Sequence, residues 1–513
     1  MVTGTLTRTL AIIFAGSILL TGCAELKSHL DRTPGREPAA PAGAAMPYRI
    51  GAAEADITPD WPIMMAGFSA RKKPSEGTYD QIRVRAMTID DGKTRIVYIM
   101  GDLASWDRRS NPRPAGLAPA AGARSNAGNR PPSAPPNIIK SITEQLRQSN
   151  GIDPDNVIFV ASHSHSGPVL NDEKFKPMLI SQTVKCAQEA LANAREARLF
   201  FGRGTTRVGV SRRGRDLAGE DRWEINPYAQ HDHEVVVLKA VDRAGRPIGV
   251  IFNYGCHPSM MGSQLIGADF VGFAATELKQ RLGGAPALFL QGSGGDAKPV
   301  NPTPGKPFLF LPNAQTDVAA TKARGVELAD DVCEVLGGKM DEITGPIRYG
   351  HREVELPVMS AWKGSGRWLD AGSAVDPDDP LSGPRRRMAR YAKMMLDSMD
   401  EKGNYKETQR SDIYCVRIGD EFIHVGMSGE ICSPIGLRVK DELRGCKVMF
   451  TGYTGYMNGY IPAQNQITAG GYEVFSNPHR KPYSLEMEDM LVCDTIDLVE
   501  SVGPKIPDLN PPQ

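Results

Sequence analysis

The sequence predicts an α/β fold in which mixed β-sheets are flanked by helices. Short apolar runs bounded by turn residues, such as Ala287 to Gln291, alternate along the chain with segments of helical periodicity, such as Ile138 to Gln148. The pair Asp91-Gly92 separates two strand-like segments and predicts a β-hairpin, so some neighbouring strands are antiparallel. This mixture of alternating elements and hairpins is typical of an α/β protein with at least one mixed sheet.

Apolar runs and two-residue alternation predict the strands, and the 3.6-residue period predicts the helices. The predicted strands are Arg49 to Thr58, Ile82 to Ile89, Thr94 to Met100, the apolar run that begins at Asn156, Glu234 to Ala240, Ile248 to Tyr254, Ala287 to Gln291, Ile413 to Ile418, Glu421 to Met427 and Lys447 to Thr451. The predicted helices are Ile138 to Gln148, Ser181 to Ala194, Gly272 to Leu282 and Ala319 to Leu336. The charged segment Asp376 to Arg390 is predicted to be exposed.

The composition describes an ordinary globular protein and excludes several functional classes. The 60 basic and 60 acidic residues balance, and 41% of the residues are apolar. The chain has no basic field that would favour nucleic acid, and no protein partner can be inferred from it. The eight cysteines contain no C-x-x-C pair, so their disulfide pairing stays open.

The N-terminus resembles the signal sequence and lipobox of a bacterial lipoprotein. Arg8 precedes an apolar stretch from Leu10 to Leu20, which is too short to span a bilayer comfortably and which leads directly to Cys23. The resemblance implies that residues 1–22 are a signal peptide and that the thiol of Cys23 is lipidated. Ala24 then favours the outer membrane. A plain secretory signal or an uncleaved anchor is the alternative, and in each case the body is exported to the cell envelope.

The rest of the chain divides into a tether and one folded body. Residues 23–46 are rich in Pro and Ala and predict a flexible tether to the membrane. The body extends over residues 47–513. Within it, the segment 108–136 has a low-complexity mixture of Pro, Gly, Ala, Asn and Arg and predicts a disordered surface insertion.

Four strand ends or loops carry residue types that bind metals or substrates. An apolar run delivers His163 and His165 into a Gly-Pro turn, and side chains two apart in an extended strand share one face. Another apolar strand ends at His257 before a proline, a third ends in a glycine followed by Glu430, and a tyrosine-rich loop spans residues 452–460. Two histidines and a glutamate are a common ligand set for zinc, which keeps one position open for water or substrate in catalytic sites.

Each of these segments alone has a plainer interpretation. An isolated His-x-His strand is more often a pair of hydrogen-bonded histidines than a metal site. The second such pair, His231 and His233, precedes its strand and is interpreted as a structural loop. The glycine-rich loop from Gln291 to Asp296 lacks the Lys-Ser/Thr ending of a nucleotide-binding loop, and the chain has no Gly-x-Ser-x-Gly elbow. The joint order of the four segments is what favours one shared metal centre.

Several short segments together resemble neutral ceramidases in their order along the chain. They are Ala55 to Thr58, Met64 to Phe68, Ser162 to Pro168, Cys256 to Pro258, Ser428 to Glu430, Gly459 to Ile461 and Tyr472-Glu473. The resemblance covers about residues 50 to 473. It implies a single large α/β catalytic domain like the N-terminal domain of that family, without the β-sandwich domain that ends the family's full-length members.

Carried over position by position, the resemblance implies a zinc centre with a defined set of neighbours. The implied zinc ligands are His163, His257, Glu430 and Tyr460. His165 would lie beside the metal and engage the scissile amide or its oxyanion. The resemblance also implies catalytic roles for Tyr472 and Arg212 and substrate contacts for Gly67 and Asp296.

The loop after the strand Ala287 to Gln291 departs from the family's pattern. Family members have a serine beside the zinc in this loop, and this chain has Lys298 at the matching position. A lysine cannot replace a small hydroxyl, but its ammonium can neutralise a developing anion, or its amine can act as a base if its pKa is lowered. Ser293 is offset from the matching position and is a poor substitute.

The resemblance therefore implies an exported zinc-dependent hydrolase that cleaves an amide bond of a lipid-like or N-acyl substrate with zinc-activated water, assisted by His165 and Lys298. Two alternatives stay open. One is a lipoprotein that retains the family pocket and binds a ligand without turnover, and the other is a zinc esterase that acts on a non-lipid envelope compound. In each case the partners are a small-molecule or lipid-like ligand and the membrane, which is reached through Cys23.

Overall fold

The computed structural model describes residues 35–68, 70–108, 137–215, 221–300, 317–358, 408–476 and 482–506. The expected signal peptide, nearly all of the expected insertion at 108–136 and the charged segment Asp376 to Arg390 lie outside these ranges. None of the helices within them combines the length and the apolar character that a membrane crossing requires.

Strands and helices alternate along the described chain. The strands are β1 Tyr48–Asp56, β2 Gly77–Thr78, β3 Arg83–Asp90, β4 Arg95–Gly101, β5 Asp107–Arg108, β6 Val157–Ala161, β7 Arg195–Thr205, β8 Gly209–Arg215, β9 Asp221–Asn226, β10 Glu234–Asp242, β11 Pro247–Tyr254, β12 Leu265–Ile266, β13 Ala287–Gln291, β14 Ala297–Pro299, β15 Asp341–Ile343, β16 Ile347–Pro357, β17 Thr408–Ile418, β18 Phe422–Met427, β19 Glu430–Ile431, β20 Lys447–Thr451, β21 Tyr456–Met457 and β22 Tyr460–Ile461. The helices are α1 Ile138–Asn150, α2 Phe175–Ala192, α3 Asp269–Arg281, α4 Val318–Gly337, α5 Ser433–Glu442, α6 Gln464–Ala469, α7 Tyr472–Phe475 and α8 Met487–Val502.

The larger sheet is mixed and curls on itself. Its strand order is β13-β11-β10-β7-β1-β3-β4-β6, and β15 also pairs with β7. The pairs β11–β13 and β4–β6 are parallel, whereas the pairs between them in the order are antiparallel. The two ends of the sheet approach each other, because β13 at one end contacts β6 at the other. This curl brings together the loops that follow β6 and β11.

Two-residue alternation along the strands places a second sheet against the first. In β4, Tyr98 and Met100 join an apolar cluster shared with the second sheet, whereas Val97 and Ile99 join a cluster with α1 and α2. The second sheet has the order β16-β17-β18-β20, and its other face packs on α5 and α8. Two facing sheets with helices outside them confirm the expected α/β class with mixed sheets.

The described part of the expected tether lies against the larger sheet. The N–H of Glu37 donates to the carbonyl of Gly245 at 3.0 Å, and the N–H of Ala40 donates to the carbonyl of Arg243 at 2.9 Å. The Glu37 carboxylate also accepts from the ammonium of Lys239, which is buried. Because a buried ammonium needs a partner, this carboxylate holds the segment on the β10–β11 hairpin, whereas the sequence predicts a free tether.

Candidate metal centre

Three histidine rings, a carboxylate and a phenol converge on one point. Ring nitrogens of His163, His165 and His257 lie within 4.8 Å of one another and form a group that could hold a metal ion. Oε2 of Glu430 lies 3.1 Å from Nε2 of His257 and 3.3 Å from Nε2 of His163. The hydroxyl of Tyr460 lies 3.3 Å from the same His257 nitrogen. The structure therefore brings together the four implied ligands and the histidine expected beside them.

The curl of the larger sheet explains how distant histidines meet. His163 follows β6 at one end of the strand order, and His257 follows β11 near the other end, yet their ring centroids are 4.9 Å apart. The loops also bond directly, since the N–H of His165 donates to the carbonyl of Pro258 at 3.0 Å. Closure of the sheet thus sets the distance between the two histidine segments.

The histidine pair lies in a strained turn and not on a strand. β6 ends at Ala161, and His163 has a φ of 65°, a left-handed conformation that costs energy for any residue with a Cβ. Its N–H donates to the carbonyl of Leu103 at 2.9 Å, which fixes the turn. The turn sets Nε2 of His165 at 3.1 Å from Nε2 of His163. The two rings therefore meet through the turn, whereas the sequence predicts that they share one face of a strand.

Gly67 makes room for His165. Its φ is 91°, and a Cβ at this position would lie 2.5 Å from the Cβ of His165. No side chain can fit there without displacing the histidine. The next residue, Phe68, packs its ring edge-on against His165 with centroids 4.9 Å apart. In this structure Gly67 therefore contacts a residue of the centre, and its implied substrate contact stays a prediction.

Strand register places Glu430 beside Tyr460. The short strands β19 and β22 are parallel, with Glu430 opposite Tyr460, and the N–H of Glu430 donates to the carbonyl of Gly459 at 2.8 Å. Gly429 has a φ of 109°, and a Cβ there would approach the same carbonyl oxygen to 2.9 Å. The glycine before Glu430 is thus required for the close approach that puts the carboxylate next to the phenol.

Hydrogen bonds on the far side of two rings determine which nitrogens face the centre. Nδ1 of His163 lies 2.7 Å from the carbonyl of Ala104, and Nδ1 of His257 lies 2.6 Å from the carbonyl of Gly294. Since a carbonyl only accepts, each Nδ1 carries a proton, and Nε2 is the nitrogen that faces the centre and can bind a metal in the neutral ring. Metal-binding histidines usually donate their other ring N–H to a carbonyl or carboxylate in this way.

The spacing and charge of these groups fit a metal ion. Three separations between these atoms, His257–Glu430, His163–Glu430 and His257–Tyr460, are 3.1 to 3.3 Å, close to the edge of about 3.3 Å that a tetrahedron has around zinc with bonds of about 2.0 Å. Burial, reinforced by the charge of Arg212, lowers the pKa of His257 to about 4. Burial alone would raise the pKa of Glu430, but His163 and His257 hold that pKa well below its usual value. A neutral imidazole and an ionised carboxylate are the forms that bind metals.

Arg212 and Tyr472 flank Tyr460. The Arg212 guanidinium lies over the ring of Tyr460 at 5.4 Å and over the ring of Tyr472 at 5.5 Å. Its Nε donates to the carboxylate of Glu473 at 2.8 Å, and that carboxylate also pairs with Arg213. The two implied catalytic residues are thus beside the centre, and Glu473 holds the arginine in place.

Lys298 lies beside the His257 segment, since the carbonyl of the preceding Ala297 accepts from the N–H of His257 at 3.3 Å. It is in β14, opposite Val210 of β8, and its side chain is buried. Burial and the charge of Arg212, partly opposed by Cys256 and Asp269, together lower the pKa of Lys298 to about 7. Burial and the neighbouring histidines hold the pKa of His165 well below its usual value, and Lys298 contributes to this shift.

Asp296 and Ser293 both face α5. The Asp296 carboxylate accepts from the N–H and hydroxyl of Ser433 at 2.8 and 2.7 Å and from the amide of Gln466 at 2.7 Å. It therefore fixes the start of α5, while its implied substrate contact stays a prediction. A Cβ on Gly436 would lie 2.3 Å from the Ser293 hydroxyl, so this serine also points at the helix. That orientation agrees with its interpretation as a poor substitute for the family serine.

Arg71 is a residue of the site that sequence reasoning does not find. Its guanidinium donates to the carbonyls of Ala66 at 2.8 Å, Met261 at 3.1 Å, Ser263 at 2.7 Å and also His165. It thereby joins the segment around Gly67, the histidine turn and the loop after His257. An arginine followed by two lysines is an ordinary surface pattern, so no local signal distinguishes it.

His231 and His233 form a separate pair with other contacts. The nitrogens of His231 lie 3.2 Å from the Ser433 hydroxyl and 3.1 Å from the Tyr254 hydroxyl. Nδ1 of His233 lies 3.1 Å from the carbonyl of Thr206. Burial lowers the pKa of His231 to about 3. These rings hold neighbouring loops together, as expected of a structural pair.

Comparison with known proteins adds both a sequence relative and fold relatives. No protein-family model matches the chain. Neutral ceramidase of Pseudomonas aeruginosa is 24% identical over 495 residues, covering 83% of this chain and 68% of the relative. The crystal structure of neutral ceramidase from Pseudomonas aeruginosa matches with a TM-score of 0.65 at 20% identity, over 91% of this chain and 77% of that chain. A ceramidase complexed with C2 matches with a TM-score of 0.64 at 20% identity, over 91% and 78% of the two chains.

The fold and the histidine centre define a ceramidase-like α/β protein with a site that could hold a metal ion. The chain is thus similar in sequence to a neutral ceramidase and shares the fold of the two ceramidase structures.

Proposed function

We propose that this protein is a zinc-dependent, ceramidase-like hydrolase that cleaves an amide bond of a lipid-like or N-acyl compound. The observation that carries the proposal is the convergence of His163, His257, Glu430 and Tyr460 around one point, with His165 beside them. The relatives named neutral ceramidase support a hydrolase of this class.

The chain's own residues would hold the metal and orient the substrate. His163 and His257 offer Nε2, and their backbone partners prevent the rings from rotating away. Glu430 and Tyr460 would offer oxygen atoms from the paired strands β19 and β22. When bound, zinc polarises an acyl carbonyl and lowers the pKa of water from about 15.7 toward about 7.

His165 and Lys298 would handle protons and charge. With its pKa well below the usual value, His165 is neutral near pH 7 and can accept a proton from the attacking water. With a pKa of about 7, Lys298 is partly protonated at neutral pH. Its ammonium can stabilise negative charge on the acyl oxygen and donate a proton to the leaving nitrogen as the C–N bond breaks.

Metal content tests the proposal most directly. Purified wild-type protein should contain about one zinc ion per chain, and the His163→Ala and His257→Ala variants should lose it, since each removes one nitrogen ligand. His233→Ala is a matched control from the other His-x-His pair and should keep wild-type zinc content. Elemental analysis of wild type without stoichiometric zinc, or of ligand variants with unchanged zinc, would contradict the proposal.

A second candidate is a lipoprotein that binds a ligand and does not turn it over. The observation that favours it is Lys298, which stands where the family has a serine. Amide and ester substrates, tested with wild type and Lys298→Ser, separate the possibilities. Activity of the wild type eliminates the binding protein, whereas activity of the variant alone favours it. Preference for esters would favour the zinc esterase.

We also propose that the chain is exported and anchored to the cell envelope through lipid on Cys23. The support is the charged, apolar and Cys-terminated N-terminal pattern. The wild-type protein should take up radiolabelled palmitate and partition into detergent, and Cys23→Ala should do neither. Absence of label from wild type would contradict the anchor but leave the hydrolase proposal intact.

A further inference from the structure

Tyr453 has a buried hydroxyl group with no partner in the part of the chain that the structure describes. The residue is 2% exposed, and its phenol oxygen makes no hydrogen bond there. Other buried tyrosines differ, since the Tyr254 hydroxyl accepts from the N–H of Gly209 at 3.0 Å and also contacts His231. A buried hydroxyl without a partner is costly, so such groups usually have a ligand or water that completes them.

The position of Tyr453 points to the metal centre as the source of that partner. Its ring centroid is 4.6 Å from that of His163 and 6.2 Å from that of His257. A phenol has an ordinary pKa of about 10 and therefore carries its proton at neutral pH. A protonated phenol beside a ligand set is a hydrogen-bond donor.

The backbone holds Tyr453 in a strained conformation at this place. Its φ is 54°, and only His163 and Asp269 are other residues with a Cβ and positive φ in the described chain. The N–H of Tyr453 donates to the carbonyl of Gly429 at 2.8 Å, and its carbonyl accepts from Ala161 at 3.2 Å. These bonds join the ends of the segments that carry Glu430 and His163. Strain retained in this way is characteristic of functional sites.

We infer that Tyr453 is a further ligand-binding residue of the centre, whose hydroxyl donates a hydrogen bond to an oxygen atom of the compound held there. This inference rests on the proposed metal centre. The rival explanation is that the ring serves only as packing for His163. The two differ in what the hydroxyl alone contributes, and Tyr453→Phe removes only that hydroxyl.

Tyr453→Phe should leave metal-free protein at least as stable as wild type, because it removes a buried group that lacks a partner. In zinc-loaded protein, the same variant should bind acetohydroxamic acid, which presents oxygen atoms to zinc, about tenfold more weakly. Tyr254→Phe is the matched control. Its hydroxyl has two partners, so metal-free stability should fall while hydroxamate affinity stays unchanged.

Urea denaturation of metal-free protein and calorimetric titration of zinc and of acetohydroxamic acid give the required values. Unchanged hydroxamate affinity in Tyr453→Phe, or a metal-free variant less stable than wild type, would overturn the role of Tyr453 while wild-type zinc binding upholds the centre. A wild-type protein that binds no zinc contradicts the metal centre itself, and the inference for Tyr453 fails with it.

Discussion

Among the residues that are not expected to bind the metal, Lys298 is the one whose substitution should reduce turnover most. We expect Lys298→Met to lower kcat by about a hundredfold with little change in KM, because the ammonium acts on the transition state more than on the bound substrate. The measurement is steady-state hydrolysis of an N-acyl amide. Lys239→Met is the matched control, since Lys239 is also buried but lies in β10 and pairs with Glu37 of the N-terminal segment. Equal losses in both variants would point to a stability effect.

At the residue scale, the sequence predicts the residues of the proposed metal centre better than the residues that hold the surrounding loops in place. His163, His257, Glu430 and Tyr460 each follow an apolar strand or lie in a tyrosine-rich loop, and these segments carry the resemblance that implies them as ligands. Arg71 gives no such signal, because it acts by donating to four backbone carbonyls in three segments, and every chain has such carbonyls. Support of this kind depends on backbone positions that become neighbours only when the chain has folded.

Arg71 links three segments of the chain, so its substitution should change how these segments are placed relative to one another. We expect Arg71→Lys to lower kcat, because an ammonium cannot span the carbonyls of Ala66, His165, Met261 and Ser263 as a planar guanidinium does. Guanidinium ion in solution should partly restore kcat to Arg71→Ala. The measurements are kcat, KM and thermal stability.

The control for this prediction is Arg417→Lys. Arg417 is also buried and donates to the carbonyls of Pro504 at 2.6 Å and Asp420 at 3.0 Å, but these lie in the second sheet and the C-terminal segment. Its variant should lose stability and keep kcat per folded molecule. If both variants lose only stability, Arg71 has a structural role and does not position His165.

The sequence predicts strands that are continuous apolar runs. It does not predict strands in which exposed and buried positions follow one another irregularly. Ala287 to Gln291 and Lys447 to Thr451 agree with β13 and β20 at both ends because they are buried on both faces. β7 begins with charged residues and contains two glycines, and β16 alternates exposed and buried positions imperfectly, so neither gives a strand signal. Sheet order follows from contacts between distant segments, which no local pattern encodes.

Across the whole molecule, a buried histidine joins the two sheets. Nδ1 of His424 in β18 lies 3.2 Å from the hydroxyl of Tyr98 in β4, and its Nε2 lies 2.9 Å from the hydroxyl of Thr451. Burial lowers the pKa of His424 from 6.5 to about 3. The ring is therefore neutral in the folded protein over most of the acid range, where an unfolded chain would bind a proton at this position.

This difference predicts that acid weakens the packing of the two sheets. As the pH falls below about 6.5, His424 binds a proton in the unfolded state but stays neutral in the folded state. The free energy of unfolding therefore decreases until the pH reaches about 3. One such proton corresponds to a slope of about 1.4 kcal/mol per pH unit. His424→Gln should be less stable than wild type at pH 8, where it loses packing, but its stability should fall less steeply with acid by about that slope.

Urea denaturation of metal-free protein between about pH 7 and pH 4.5 gives both profiles, and metal-free conditions remove the contribution of ligand protonation to zinc binding. Parallel profiles for the two proteins would show that His424 binds its proton equally in the folded and unfolded states, and would exclude it as a source of acid sensitivity.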